Sequence, residues 1–388
     1  MPVIAHVDMD AFYASVEMVR RPALRHVPMF VGGSERGVVL SANYLARTFG
    51  IEGGMPSARA RRLCPQVVAV RPDFERYQEV SESILAVFET FSDTIEAASI
   101  DEAFIDLTGS LLRLGSPENI GEQLRERVAD EQRIGCSVGI GPNKFIAKLA
   151  SKAAKPDGLR VVRTKNVVDF LHPLPVEAIW GVGKATAARL RRLGLTTVGE
   201  LSRVEPAVLR RVLGEQQGRL LADLAWGRDR RSMLARAPRE HSVGCQTTFG
   251  RDTDAPSVVE TEILRMAERV ASRARAQRMV GRGVTLTVRF ADFSAVNRTG
   301  TLYAPTDLTG EIYTEALRLF RRLRLQRARV RLVGVRLEKL TRKSETYEQP
   351  TLDEPEHGWA EAEAAVDAAV LRFGPKALRR AALTVPRG

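Results

Sequence analysis

Cysteine is scarce in this chain. Cys64, Cys136 and Cys245 are the three present, far apart and in no CxxC pair. An odd number at such spacing builds neither a disulfide framework nor a zinc knuckle, and a reducing compartment fits best. Long apolar stretches are missing too: no run approaches the roughly 18 residues of a membrane span, so no membrane association is expected. The opening MPVIAHVDMD carries acids where a signal peptide carries its apolar core. A cytoplasmic protein is the expectation. Repeats and low-complexity tracts are also lacking.

What is present is a chain of 388 residues, 44% hydrophobic and 27% charged. That length predicts several packed units of globular type. The net charge of +12 is unevenly spread: residues 1–162 are net −2, 163–240 net +7, 241–342 net +9 and 343–388 net −2. A polyanion grip separated from a centre of clustered acids produces such an asymmetry.

The run VIAHVD (3–8) reads as a buried strand with Asp8 at its exposed end, after which Asp10 is expected to cap a helix through AFYASVEMV. PMFVGG and GVVLSA read as short strands, residues 44–49 and 57–63 as basic helical pieces. Val80, Ile84, Val87, Phe88 and Phe91 recur at helical spacing, so a long amphipathic helix is predicted from Phe74 to Phe91. TIEAASIDEAFIDLTG (94–109) reads as an antiparallel hairpin with Ile100, Asp101 and Glu102 at its tip. A helix near 117–131, the strand GCSVGIG (135–141) and a helix at 143–154 follow. Strand, helix, hairpin, helix, strand is a ferredoxin-like order. Residues 166–227 read as all-helical. The stretch 241–342 reads as a second α+β unit with helices near 257–276 and 309–323, and an amphipathic stretch follows near 360–373.

In such a sheet the first strand lies beside the hairpin, which brings Asp8, Asp101 and Glu102 to one edge. Three carboxylates repel one another unless cations neutralise them. Two Mg²⁺ ions bridged by carboxylates are the usual arrangement for in-line phosphoryl transfer, and Mg²⁺ accepts a few acids without a histidine cage. VDMDAFYASVE, SANYLAR, SIDEAFIDL, SVGIGPNKFIAKLASKAAKPDG and GVGKATAARLRRLG, in this order, resemble the Y-family DNA polymerases, most of all the bacterial DNA polymerase IV (DinB) branch. The resemblance spans roughly residues 1–342.

It implies an α+β multidomain right hand. The ferredoxin-like palm would comprise 1–9 and 73–162, small fingers 10–72 and a helical thumb 163–228. A linker over 229–240, an α+β little finger over 241–342 and a tail over 343–388 complete it. The implied function is low-fidelity, template-directed DNA synthesis in translesion synthesis and DNA repair, on primer–template DNA with deoxynucleoside triphosphates. Asp8, Asp101 and Glu102 match the family's metal ligands, with the Met9 carbonyl as a further one, for two Mg²⁺ per site. Tyr13 matches the ring that excludes a ribose 2′-hydroxyl, where many relatives carry Phe. Tyr44, Arg47 and Lys155 match triphosphate contacts, and Ser41 is a further donor to phosphate.

GVGKAT (181–186) invites a phosphate-loop reading, but position 178 is Ala and Lys184 precedes Ala185, so no GxxxxGK[ST] is present. It resembles a helix–hairpin–helix, in which Gly181 and Gly183 let backbone amides approach a DNA phosphate and Lys184 adds an ionic contact. Arg289, Arg298, Arg331 and Arg336 are the phosphate contacts expected of the little finger. Gln349-Pro350-Thr351-Leu352-Asp353 is the stretch nearest the sliding-clamp peptide of DNA polymerase IV relatives and reads either as a weakened version of it or as plain linker; a monomer on DNA is expected. Two rivals remain. A non-catalytic DNA-binding adaptor of the same fold would have lost the acids or the Tyr13 ring. A nucleotidyl cyclase would have no use for the helix–hairpin–helix.

Overall fold

The computed structural model describes residues 2–33, 36–233, 241–346, 358–374, 377, 378 and 380–384. Its contacts divide the chain into two units, Met1–Pro238 and Arg239–Gly388. The strands of the first unit are β1 (Ile4–Met9), β2 (Met29–Gly32), β3 (Val39–Ala42), β4 (Val68–Val70), β5 (Ile95–Ala97), β6 (Glu102–Asp106), β7 (Cys136–Gly141) and β8 (Leu159–Val161). Five of them form one sheet in the order β5-β6-β1-β7-β8, and the other three form a sheet in the order β3-β2-β4. With helices Phe74–Glu89 and Pro117–Gln132 between its strands, the five-stranded sheet has the ferredoxin-like order, extended by β8.

Period-two alternation gives this sheet two different faces. Ala5, Val7, Ala103, Ile105, Val138 and Ile140 point to one face and join the apolar residues of the two long helices. The helix Phe74–Glu89 starts at Asp73, whose carboxylate accepts from Arg76 N at 3.3 Å, and buries Tyr77, Val80, Ile84, Val87 and Phe88. Each such aliphatic or aromatic side chain contributes about 1.5–3 kcal/mol of burial. The opposite face carries His6, Asp8, Glu102 and Phe104, with Ser137 and Gly139 across from Asp8 and His6. The helix Lys144–Ala154 covers that face. It comes so close at Gly139 that a Cβ there would lie 2.0 Å from Ser151 N.

Two expectations are corrected. Asp10 does not cap the following helix: the N-cap of Phe12–Arg20 is Ala11, in the left-handed region at φ 47°, with no side-chain cap. That helix also belongs to the first core through Phe12, Ala14 and Val16. The segment before Gly181 is one 3₁₀ turn, Val176–Ala178, rather than a helix. In the stretch 229–240, two residues make contacts with the first unit. Arg231 lies over the Trp180 ring at 4.1 Å, Met233 packs with Ile4, Phe104 and Ala147, and 234–240 lie outside the described residues.

The second unit contains β9 (Ser242–Thr253), β10 (Met279–Phe290), β11 (Ala295–Thr306) and β12 (Val330–Arg342), in the order β11-β10-β12-β9. Helices Pro256–Ala276 and Thr309–Arg322 pack on one face against Val284, Leu286, Val288, Val333, Val335 and Leu337. The helix Trp359–Phe373 is tied to this unit by its buried Glu363, which accepts from Thr309 N and pairs with Arg275. The clamp-like stretch 349–353 lies outside the described residues. Among the described residues no helix is long and apolar enough to cross a membrane.

Candidate active site

Asp8 and Glu102 are direct cross-strand partners on β1 and β6. Like charges placed opposite each other on a sheet repel, so the pair needs cations. Two lysines of the covering helix and its C-terminal cap supply them. Lys155 Nζ donates to Asp8 Oδ1 at 2.6 Å and to the Met9 carbonyl at 3.1 Å. Lys148 Nζ donates to Glu102 Oε2. Asp101 sits in the turn between β5 and β6, with Ser99 Oγ donating to its carboxylate. Its carbonyl accepts from Met9 N at 2.9 Å, which ties the turn to the end of β1. Asp101 forms no ion pair among the described residues.

Burial shifts these groups unequally. Desolvation pushes the Asp8 carboxyl above its ordinary value despite the neighbouring Lys155 ammonium. Glu102 is held down at about 2 by its contacts with His6 and Lys148, against the opposing effect of burial. Burial also lowers the pKa of His6, so the ring is neutral near pH 7.

Beside the carboxylates lies a cavity of about 170 Å³ lined by Asp8, Met9, Phe12, Tyr13, Ser41, Arg47, Asp101 and Lys155, among others. Tyr13 forms one wall, stacked on Tyr77 at 4.6 Å and 30° and edge-on to Phe74 at 6.0 Å. Arg47 stands over the Tyr44 ring at 4.6 Å, and its Nε donates to the Ala42 carbonyl. The structure thus brings together all the metal and nucleotide residues expected of this region, with Tyr44 next to Arg47.

Asp10 has a different role from the expected cap. It is 5% exposed and accepts from Tyr44 Oη at 3.1 Å, Ser137 Oγ at 3.1 Å and Asp157 N at 2.6 Å, with Lys155 Nζ at 3.3 Å. It therefore fixes Tyr44 and the Lys155 loop together. His6, Lys148 and Ser151 were missed as well. The sequence does carry a signal for them: His6 and Asp8 share a strand face, and Lys144, Lys148, Ser151 and Lys155 recur at helical spacing.

Gly181 adopts φ +98°, where a side chain is strained, and Gly183 caps the helix Lys184–Arg192, whose last turn holds Arg189, Arg191 and Arg192. In the second unit the four arginines separate. Arg289 follows Thr285 and Thr287 on the open face, and Arg336 pairs across from Thr285 on that same face. Arg298 is opposite the core residue Leu286 and shares its face. Arg331 sits at an irregularity of β12, 4.5 Å from the Phe293 ring and 3.8 Å from Asp252.

The impB/mucB/samB family matches residues 7–152, its C-terminal domain residues 240–352, and the family's HHH motif residues 165–195. The chain is 47% identical over 306 residues to DNA polymerase IV 2 of Mesorhizobium japonicum, covering 79% of this chain and 73% of that protein. It is 39% identical to DNA polymerase IV of Desulfatibacillum aliphaticivorans, covering 91% and 89%. Among solved structures it is similar to the Y-family DNA polymerase chimera Dbh-Dpo4(243-245)-Dbh, with a TM-score of 0.78 at 27% identity over 88% of this chain and 99% of that one. An insertion ternary complex of Dbh DNA polymerase gives a TM-score of 0.59 at 27% identity, covering 88% and 99%. With the carboxylates on adjacent strands of a ferredoxin-like sheet, the chain belongs to the Y-family DNA polymerases, among the DNA polymerase IV (DinB-like) proteins.

Proposed function

We propose that Asp8, Asp101, Glu102 and the Met9 carbonyl are the metal-holding centre of a template-directed DNA polymerase of the translesion type, with two Mg²⁺ per site. The observation that carries this reading is the convergence of all four groups at one sheet edge, beside a cavity lined by cationic and aromatic side chains. The donor set suits a hard divalent cation. It consists of carboxylates and a carbonyl, and Lys155 already places an ammonium between Asp8 and the Met9 oxygen. When bound, the ions supply Lewis-acid polarisation of the primer hydroxyl and the triphosphate oxygens.

The protein's own groups do the rest. Arg47 and Lys155 bind the triphosphate of the incoming deoxynucleotide, with Ser41 as a neutral donor. Lys155 then exchanges its hold on Asp8 for phosphate oxygens. Tyr13 blocks the space a ribose 2′-hydroxyl needs, and Tyr44 is held in place by Asp10. The palm is the five-stranded unit, the fingers the three-stranded one and the thumb the helices after 163. Gly181, Gly183 and Lys184 grip a backbone phosphate, and the open face of the second unit grips others. The fingers sheet is small, so little closure adds to discrimination and fidelity is low. The working form is a cytoplasmic monomer. Contact with a sliding clamp through 349–353 rests on sequence alone.

Extension of a primed template by the purified protein in Mg²⁺ tests the reading. Template-dependent extension that disappears in Asp101→Ala is expected. A wild type that binds primed DNA yet adds no nucleotide in Mg²⁺ or Mn²⁺ is instead an adaptor, and an Asp101→Ala variant of full activity removes Asp101 from the centre.

A further inference from the structure

The sheet face that carries the carboxylates also holds a polar group with no part in the mechanism above. His6 is fully buried in β1, two residues before Asp8. An imidazole in such a place must have both nitrogens engaged, or the desolvation of its polar atoms is uncompensated. Nδ1 lies 2.7 Å from Ser151 Oγ. Nε2 lies 3.3 Å from Glu102 Oε2 and 3.4 Å from Lys148 Nζ. The ring also packs against Phe104 at 4.6 Å.

Each partner is itself restrained. Ser151 Oγ bonds the Lys148 carbonyl at 2.9 Å, on the helix that Gly139 allows against the sheet. The Lys148 ammonium, bonded to Glu102, sits 5.3 Å from the centre of the Trp180 ring. His6 and Lys148 both engage Oε2 of Glu102, and among the described residues Oε1 has no hydrogen-bond partner. One oxygen of the carboxylate is thus tied to the protein and the other is left to a ligand. With hydrogen on Nε2 the ring donates to Glu102, and Nδ1 accepts from the Ser151 hydroxyl, which then gives up the Lys148 carbonyl. With Nε2 bare it accepts from Lys148, Nδ1 donates to Ser151 Oγ, and the brace reaches Oε2 through Lys148.

We propose that His6 is a positioning residue that braces the Lys148–Glu102 pair from beneath, so that Glu102 presents Oε1 alone to the catalytic metal. This rests on the reading of Glu102 as a metal ligand. Partners that orient a metal ligand are worth about 10- to 100-fold in metal affinity.

Two isosteric substitutions separate this role from mere filling of a buried site. The Gln amide reaches the position of Nε2, and the Asn amide only that of Nδ1. Mn²⁺ binding to the full-length protein on a primer–template with a non-extendable primer is read from the loss of the free-ion paramagnetic resonance signal. Single-nucleotide insertion is measured beside it. His6→Asn is expected to weaken Mn²⁺ binding by about tenfold or more and to lower kcat with little change in KM for the nucleotide. His6→Gln is expected to stay within about threefold of wild type. Asn and Gln variants that behave alike, both intact or both impaired, overturn the proposal. If neither folds, Ser151→Ala decides: weaker Mn²⁺ binding supports the brace, and unchanged binding overturns it. Glu102→Ala is the control, because unchanged binding there defeats the ligand reading itself and not the role of His6.

Discussion

Tyr13, a wall of the candidate site, is held by a series of contacts behind it. Its ring is stacked on Tyr77, whose hydroxyl donates to the buried Glu17 carboxylate at 3.0 Å. Arg20 and Arg21 pair with Glu17 in turn. In the sugar-pocket role proposed above, a ring fixed from behind in this way excludes a 2′-hydroxyl by its volume and not by its own hydroxyl. Tyr13→Phe is accordingly expected to keep the preference for deoxynucleotides. Tyr13→Ala is expected to raise the ribonucleotide-to-deoxynucleotide ratio of kcat/KM by about 100-fold. Unchanged ratios in both variants remove Tyr13 from the sugar pocket. The choice of Tyr or Phe was legible in the sequence at this position; the Glu17–Tyr77 support behind it was not, since it joins residues 60 apart.

Among the elements, the helix Lys144–Ala154 decides most about the site. It carries Lys148 and Ser151 and ends at Lys155, and it reaches the sheet only because position 139 has no side chain. A Cβ at Gly139 would also lie 2.2 Å from the Ala147 carbonyl, which is backbone and cannot turn away. Gly139→Ala is therefore expected to cost about 3 kcal/mol of stability, read as a lower Tm, with a loss of extension activity as the helix lifts. A Tm equal to wild type shows that the helix can shift without penalty. Strands, helices and the hairpin were legible from their apolar periods. The place of Asp10 was not: an acid before a helix reads as a cap, but the left-handed Ala11 turns it away from the helix and toward Tyr44, Ser137 and Asp157. No local rule anticipates that.

At the scale of the whole molecule, the excess positive charge lies over residues 163–342, and the clustered carboxylates lie in the net-negative stretch 1–162. Sequence-independent binding through phosphates falls steeply with salt. On the second unit the pleat sorts the arginines: Arg289 and Arg336 stand on the open face, the latter beside Glu338 at 2.6 Å, Arg298 shares the face of the core residue Leu286, and Arg331 sits at the irregularity of β12. Arg289→Ala and Arg336→Ala are each expected to lower affinity for primed DNA and to reduce the slope of log affinity against log salt by about one. Arg298→Ala is expected to leave that slope unchanged. Fluorescence anisotropy across a salt series measures all three, and a lower slope in Arg298→Ala alone reverses the assignment of faces.

The sequence by itself determined the family and the order of elements, and it singled out the carboxylates and nucleotide contacts proposed above, because each lies in a short motif whose chemistry is local. The tertiary structure decided which side chains support them. Asp10, His6, Lys148 and Ser151 act across separations of 34 to 147 residues, between strands and a helix that meet only in the folded chain. The direction of each arginine on the second sheet was likewise fixed by register, since a shift of one residue would exchange the two faces.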